Sequence, residues 1–336
     1  MPAELQERVH QEVERTCRRS GWPVQRALTA LAVSRTSYYR WRRERAWTRP
    51  LEAAPRLATV YEALPEERAA VLAYARQHSA IRHRELAWRM VDEDVAYLSP
   101  STVYRILREE ELVCPHRRRT KRYRGADEKA QRPNERWATD LLHLKVGARE
   151  FYLVAFLDEY SRYIVHHALL SGMDGATLSL EAQAAVETLG ARLKNGEGPR
   201  PEIRSDNGSG YVSREFRDVL REHGLSHLRI KPHCPEENGL MERANRTLRE
   251  ALEGEELTGM LQAREVVARI IRWYNEERLH GALGYLRPID YYRGDPERQQ
   301  ALRRAKLSQA RHARKEENLN LRQRTEWVWR DRDDAC

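Results

Sequence analysis

Ile203-Arg204-Ser205-Asp206-Asn207-Gly208-Ser209-Gly210-Tyr211 and, further on, Pro235-Glu236-Glu237-Asn238-Gly239-Leu240-Met241-Glu242-Arg243-Ala244-Asn245-Arg246 decide how this chain is read. Each holds one acid where a buried element gives way to polar residues. Asp206 ends a short apolar run, and Glu242 falls in the first turn of a helix, with thirty-five residues between the two. A third acid, Asp140, lies in Trp137-Ala138-Thr139-Asp140-Leu141-Leu142-His143-Leu144, whose alternation reads as a strand. Three carboxylates so placed make a cage for a hard divalent cation, because Mg²⁺ takes a few carboxylates and completes its shell with phosphate and water.

The pattern around these acids sets the fold. Strands are expected over 137–146, 151–158 and 161–169, a helix over 175–193, and a short buried strand over 201–205. A helix over 212–223, a fifth strand over 226–230, a long helix over 237–253 and a further helix over 264–274 follow. The order βββαβαβα is that of an RNase H-like core, with Asp140 on the first strand beside Asp206 at the end of the fourth. Asp158 and Glu159 are rival acids, but Asp158-Glu159-Tyr160-Ser161-Arg162 reads as a hairpin turn, and Glu236 and Glu237 read as helix N-terminal charges.

The Trp137-x-x-Asp140 strand, Ser205-Asp206-Asn207-Gly208, Asn238-Gly239-x-x-Glu242 and Arg249, seven residues after Glu242, together resemble the DDE transposases and retroviral integrases. The resemblance is greatest to the insertion-sequence transposases with an integrase-like core, of the OrfB type. The run Trp273-Tyr274-Asn275, Arg278-x-His280 and Leu283-Gly284-Tyr285-x-x-Pro288 matches the same families, so the likeness extends from Trp137 to Pro288. It implies a DNA transposase that cleaves the ends of a mobile element and joins the 3′-hydroxyls to target DNA. Asp140, Asp206 and Glu242 are then the catalytic residues and the ligands of Mg²⁺ or Mn²⁺, two ions per site. Asn238, at a helix start whose free amides suit an anion, and Arg249 are then DNA contacts. Arg249 stands where many relatives have Lys, which keeps the charge. The segment after Ser226 is more basic than is usual in such transposases. The His/Cys zinc module of retroviral integrases is not visible: Cys17, Cys114, Cys234 and Cys336 are widely separated and read as free thiols.

The 336 residues carry a net charge of +9, unevenly spread. Residues 1–125 hold 25 Lys and Arg against 16 Asp and Glu, whereas residues 126–336 hold 35 of each. A basic N-terminal part fits double-stranded DNA, the element ends and target, since cationic side chains gain affinity by releasing counterions from phosphates. No apolar run reaches membrane-spanning length and no signal-peptide pattern opens the chain, so no membrane partner and a cytoplasmic, nucleoid-associated location are expected.

Residues 1–47 read as a first helix-turn-helix module: apolar residues at helical spacing in 3–19, a short helix from Pro23, and a basic, aromatic third helix capped by Ser34. Its expected DNA contacts are Arg35, Tyr38, Arg40 and Arg42. Residues 48–65 read as a linker, and 66–115 as a second such module whose last helix starts at Ser99-Pro100 and offers Thr102 and Arg105. In the basic linker 116–132, six of nine residues from 116 to 124 are cationic, and Arg117, Arg118, Arg119, Lys121 and Arg122 are expected along the DNA backbone. The core occupies 133–290 and a charged tail 291–336, either a helix packing on a partner chain or a disordered basic arm. The fold class is therefore α+β multidomain: N-terminal all-α helix-turn-helix modules followed by an RNase H-like α/β core, a five-stranded mixed sheet with flanking helices. A homo-oligomer on DNA is expected, with room for a small accessory DNA-binding protein. The competing function is a sequence-specific DNA-binding regulator, or a remnant with an inactive core; retention of all three acids speaks against it. A nuclease of this fold without strand transfer is disfavoured by the two upstream modules.

Replacing Arg35, Arg40 and Arg42 together with Ala is expected to weaken binding to element-end DNA more than replacing Arg8 and Arg15. Gel-shift titrations against end and random DNA test this: equal losses on both would reduce the first module to an electrostatic anchor.

Overall fold

The computed structural model describes residues 3–47, 59–113, 129–190, 200–231 and 238–333. The chain forms two units, one of residues 1–62 with 318–336 and the other of 63–317. No described helix is long and apolar enough to cross a membrane.

The first unit is built on α1 (Ala3–Ser20), α2 (Val24–Ala30) and α3 (Arg35–Trp47). Gly21 at φ 66° closes α1 by returning its N–H to the Cys17 carbonyl at 3.1 Å. The Ser34 hydroxyl caps α3 by accepting the Ser37 N–H at 3.0 Å. Val13, Ala27, Leu28 and Tyr38 form the small core between the helices. Tyr38 is only 3% exposed and packs against His10 at 4.6 Å. This corrects the expectation that Tyr38 contacts DNA: its ring fills the module's interior. The side-chain amide of Asn318 donates to the carbonyls of Val60 and Glu62 in the same unit.

The second unit opens with α4 (Pro65–Gln77), α5 (His83–Asp92) and α6 (Pro100–Glu109). Pro65 and Pro100 sit at first helical positions, where a missing N–H costs nothing. Ser99 caps α6 by accepting the Thr102 N–H at 3.2 Å. Val71, Leu86, Met90, Val103 and Ile106 are among the apolar residues at its centre.

A five-stranded sheet follows: β1 (Arg136–Val146), β2 (Arg149–Asp158), β3 (Ile164–Leu170), β4 (Glu202–Ser205) and β5 (His227–Arg229) in the order β3-β2-β1-β4-β5. β1 to β3 form an antiparallel meander, and β4 and β5 add in parallel on the other side of β1. Parallel strands need a crossover, and α7 (Gly175–Glu187) and α8 (Arg214–Glu222) lie in those connections. This is the mixed sheet of an RNase H-like fold. β1 alternates, so each of its faces has its own core. Ala138, Leu142 and Leu144 face α9 (Gly239–Leu252) and α10 (Met260–Glu276). Trp137, with Val154 and Phe156, packs toward α7 and α8.

Boundaries move where caps and turns decide them. β3 starts at Ile164, not 161, because Arg162 turns the chain at φ 64°. α7 ends at Glu187, short of 193, and α8 begins at Arg214, after its Ser213 cap. α10 begins at Met260, four residues before 264. A short 3₁₀ turn (Gly281–Leu283), α11 (Pro288–Tyr292) and α12 (Pro296–Asp333) follow, so the charged tail is mostly helix over its described residues.

Asn275, at the end of α10, holds the start of β3 through two bonds: it accepts the Ile164 N–H at 2.9 Å and donates to the Ile164 carbonyl at 3.0 Å. Both are buried. Asn275→Ala leaves two buried backbone groups without partners and should lower unfolding stability by about 2–4 kcal/mol, measurable by urea titration.

Candidate active site

The register of β1 and β4 brings two of the three acids together. Ala138 pairs with Arg204 in the parallel ladder, and two residues further along each chain stand Asp140 and Asp206. Asp140 shares its face with Ala138 and Leu142, toward α9, where Glu242 lies in the first turn. The side-chain amide of Asn245, one turn beyond Glu242, donates to Asp140 Oδ2 at 3.0 Å, while Asp140 Oδ1 accepts the N–H of Leu141 at 2.8 Å. Burial pushes the Asp140 carboxyl up to about 6, and the charges of Asp206 and Glu242 add to the rise. The Leu141 and Asn245 hydrogen bonds oppose it.

Asp206 is held by its own turn. Its Oδ1 accepts the Gly208 N–H at 2.9 Å, and the Asn207 amide donates to the Ile230 carbonyl at 2.9 Å. The Ser205 hydroxyl donates to the Asp206 carbonyl at 2.9 Å and stands 2.8 Å from His227 Nε2. That hydroxyl proton is already used, so the imidazole supplies the N–H of the second bond. Gly210 lets the turn pass close to α7: a Cβ there would lie 2.5 Å from Leu178 Cδ1 and from the Met173 carbonyl oxygen. Gly239, at the start of α9, meets no atom of the described residues within 4 Å of where a Cβ would stand. Tyr211 anchors the far side, fully buried and 3.1 Å from the Thr139 hydroxyl.

Glu242 is exposed, and Arg249 is exposed on the last turn of the same helix. Asn238 is not a surface residue. It is 5% exposed, and its Oδ1 has no hydrogen-bond partner among the described residues. The expectation of a direct DNA contact from Asn238 is corrected accordingly, because the side chain offers almost no accessible surface. Arg35, Arg40 and Arg42 are exposed on α3. On α6, Arg105 is exposed and Thr102 is half-buried beside the Ser99 hydroxyl at 3.0 Å. Arg117, Arg118, Arg119, Lys121 and Arg122 lie outside the described residues, as do Glu236 and Glu237.

The rival acids are consumed by structure. Asp158 is fully buried and accepts three bonds, from the Asn134 N–H, the Ser161 N–H and the Ser161 hydroxyl. Glu159 lies between Arg204, at 3.4 Å, and Arg136, at 3.7 Å. Asn245 is the residue that the sequence reading left without a role. Its signal was present, since it stands one helical turn after Glu242 and so faces the same way.

As the side chains lie, no group of three His, Cys, Asp or Glu residues among the described residues is close enough to hold a metal ion. The donor chemistry nonetheless fits a hard divalent cation: three carboxylates, oxygen ligands only, with Asp140 under like-charge pressure from the other two.

The sequence matches the family described as the integrase core domain over residues 130–235 and again over 223–288. The putative transposase InsD for insertion element IS2E of Escherichia coli (strain K12) is 30% identical over 203 residues, 58% of this chain and 92% of that protein. The 39.2 kDa protein of insertion element IS476 of Xanthomonas euvesicatoria is 30% identical over 219 residues, 62% of this chain; the chain spans 61% of that protein's length. The putative transposase InsK for insertion sequence element IS150 of E. coli K12 is 28% identical over 167 residues, 49% of this chain and 56% of that protein.

Mn²⁺ should raise the melting temperature of the protein, by the equivalent of about 2.7 kcal/mol at a hundredfold excess over Kd. Asp206→Asn should lose most of that gain. An unchanged Mn²⁺ response in the variant would remove Asp206 from the metal site.

Proposed function

Given that this chain belongs to the insertion-sequence transposases with an integrase-like core, we propose that it cleaves the ends of a mobile DNA element and joins the freed 3′-hydroxyls to target DNA. The observation that carries this reading is the meeting of Asp140 and Asp206, on parallel neighbours β1 and β4, with the face of α9 that bears Asn245 and Glu242. Asp140 and Asp206 are the residues that hold divalent metal, and Glu242 completes a second ion's site. Mg²⁺ or Mn²⁺, two ions per site, supplies charge neutralisation and Lewis-acid activation of the attacking and leaving oxygens.

The protein's own groups do the rest. Asn245 fixes the rotamer of Asp140 by donating to Oδ2 and leaves the remaining lone pairs of the carboxylate free. The Gly208 N–H does the same for Asp206. Arg249 faces DNA phosphate from the same helix. Arg35, Arg40 and Arg42 on α3, and Thr102 and Arg105 on α6, bind element ends, with the stretch from Arg117 to Arg122 along the backbone. Joining requires two ends at once, so the working form is a homo-oligomer on double-stranded DNA, with a small accessory DNA-binding protein as a further partner. Such chemistry takes place where the DNA is, in the cytoplasm and on the nucleoid.

The test is incubation of the protein with terminal DNA of its element and Mg²⁺, scoring nicked and joined products. Asp206→Asn and Glu242→Gln should each lose both products while end-DNA affinity stays within about threefold, since an amide is a poor Mg²⁺ ligand and the DNA-binding surfaces are untouched. Comparable activity of Asp206→Asn in Mg²⁺ would overturn the assignment. Sequence-specific binding with no metal-dependent product in the parent would favour a DNA-binding regulator.

A further inference from the structure

Arg303, in the second turn of α12, is 5% exposed and joins parts of the second unit that are far apart in sequence. Its Nε donates to Asp92 Oδ1 at 2.7 Å, and Nη2 donates to the other oxygen of that carboxylate, at the end of α5. The guanidinium also donates to the carbonyls of Gly284, at 3.1 Å, and Tyr285, at 2.8 Å. Its planar face lies 5.0 Å from the Trp88 ring. All of this is within reach of one side chain because a guanidinium presents five N–H donors in a fixed plane.

The turn at Gly284 and Tyr285 belongs to the catalytic core. Both residues have positive φ, 62° and 61°, which turns two consecutive carbonyls toward Arg303. For Tyr285 this conformation is unfavourable and persists only where neighbours enforce it. The turn leads into α11, whose Tyr292 stacks on Tyr163 at 4.4 Å and donates to Asn134 at 3.0 Å, beside the buried Asp158. A continuous packed path therefore runs from the α4–α6 module, through Arg303, to the start of the sheet that carries Asp140. Two further contacts brace the same module. Lys306 pairs with Asp94 and donates to the Val91 carbonyl. Arg314, 7% exposed, holds Glu67 with two bonds of 2.7 and 2.8 Å and the Tyr97 carbonyl with a third.

We propose that Arg303 is a positioning residue that locks the α4–α6 module to the catalytic core, so that the distance from the base pairs read by α6 to the phosphate that is cut is fixed. The inference rests on the proposed function for what α6 and the carboxylates do. The run Leu283-Gly284-Tyr285 then has a reason: it shapes two carbonyls to receive the lock. A protein that cuts at a set place must carry that distance in folded structure, and α12 supplies the contact between reader and cutter independently of the chain from 114 to 128.

The experiment uses the full-length protein and end-labelled terminal DNA with Mg²⁺, mapping nicks to single nucleotides. The parent should nick at one phosphate. Arg303→Ala and Asp92→Ala should spread nicks over several neighbouring phosphates, with end-DNA affinity within about threefold of the parent, because the exposed face of α6 is unchanged. Arg303→Lys should recover part of the sharpness, since an ammonium keeps the charge but cannot hold a carboxylate and two carbonyls together. A single unchanged nick position in the Ala variants, at whatever rate, would overturn the proposal. Should Arg303→Ala fail to fold, Asp92→Ala decides alone, as that side chain is 39% exposed and its loss opens no cavity. A second readout stands apart from activity: spin labels at Ser101 on α6 and Leu180 on α7, both exposed, with the four native cysteines replaced by Ser. Their distance distribution should broaden in Asp92→Ala. An equally narrow distribution in the variant would overturn the locking even if the parent cut no DNA, an outcome that by itself would sink only the transposase reading.

Discussion

The parallel pairing of β1 with β4 is the constraint on which the candidate site depends. It spans only three residue pairs, Arg136 to Ala138 against Glu202 to Arg204, and so short a ladder has little register information of its own. Charge supplies it. Arg136 pairs with Glu202 at 2.7 Å, and Glu159, in the turn that follows β2, receives both Arg136 and Arg204. A slip by one residue would turn every side chain of β4 to the other face and separate these partners. With the register fixed, two carboxylates that repel each other are held side by side, Asp140 within β1 and Asp206 just past the end of β4, at a cost that the ion pairs and the cores on both faces offset.

Acids of the same kind meet opposite fates on neighbouring strands. Asp158 and Asp140 lie on adjacent antiparallel strands, yet Asp158 spends its oxygens on two N–H groups and a hydroxyl, whereas Asp140 accepts two bonds and keeps lone pairs to spare. The first is a knot that closes the hairpin turn with Ser161 and Asn134. The second is available for chemistry. Burial raises the pKa of both carboxyls, so the difference between them lies in donors and in the nearby charges of Asp206 and Glu242.

Much of this was legible in the sequence, because it rests on local periodicity. Alternation located β1 and β2, helical spacing located the N-terminal helices, and Ser34, Ser99 and Pro100 marked helix starts where the structure has them. What escaped depends on contacts made across the fold. Asn245 meets Asp140 over 105 residues, and Asn275 meets Ile164 over 111. Tyr38 misled because a basic, aromatic helix looks the same whether its rings face DNA or the core; its contact with His10 on α1 decides the matter. The tail resisted reading for a related reason. Its apolar residues are sparse, and it packs through Arg303 and Arg314, whose acidic partners lie more than two hundred residues earlier.

Gly210 and Gly239 flank the acids that define this site, and they differ as evolutionary positions. At Gly210 even a methyl group would strike the Leu178 side chain and the Met173 backbone, so the alleles open to that codon are few and each disturbs the loop that carries Asp206. At Gly239 nothing among the described residues stands within 4 Å of the missing Cβ. Variation at the first position is therefore closed by the packing of the loop on α7, and the described neighbours of the second impose no such limit.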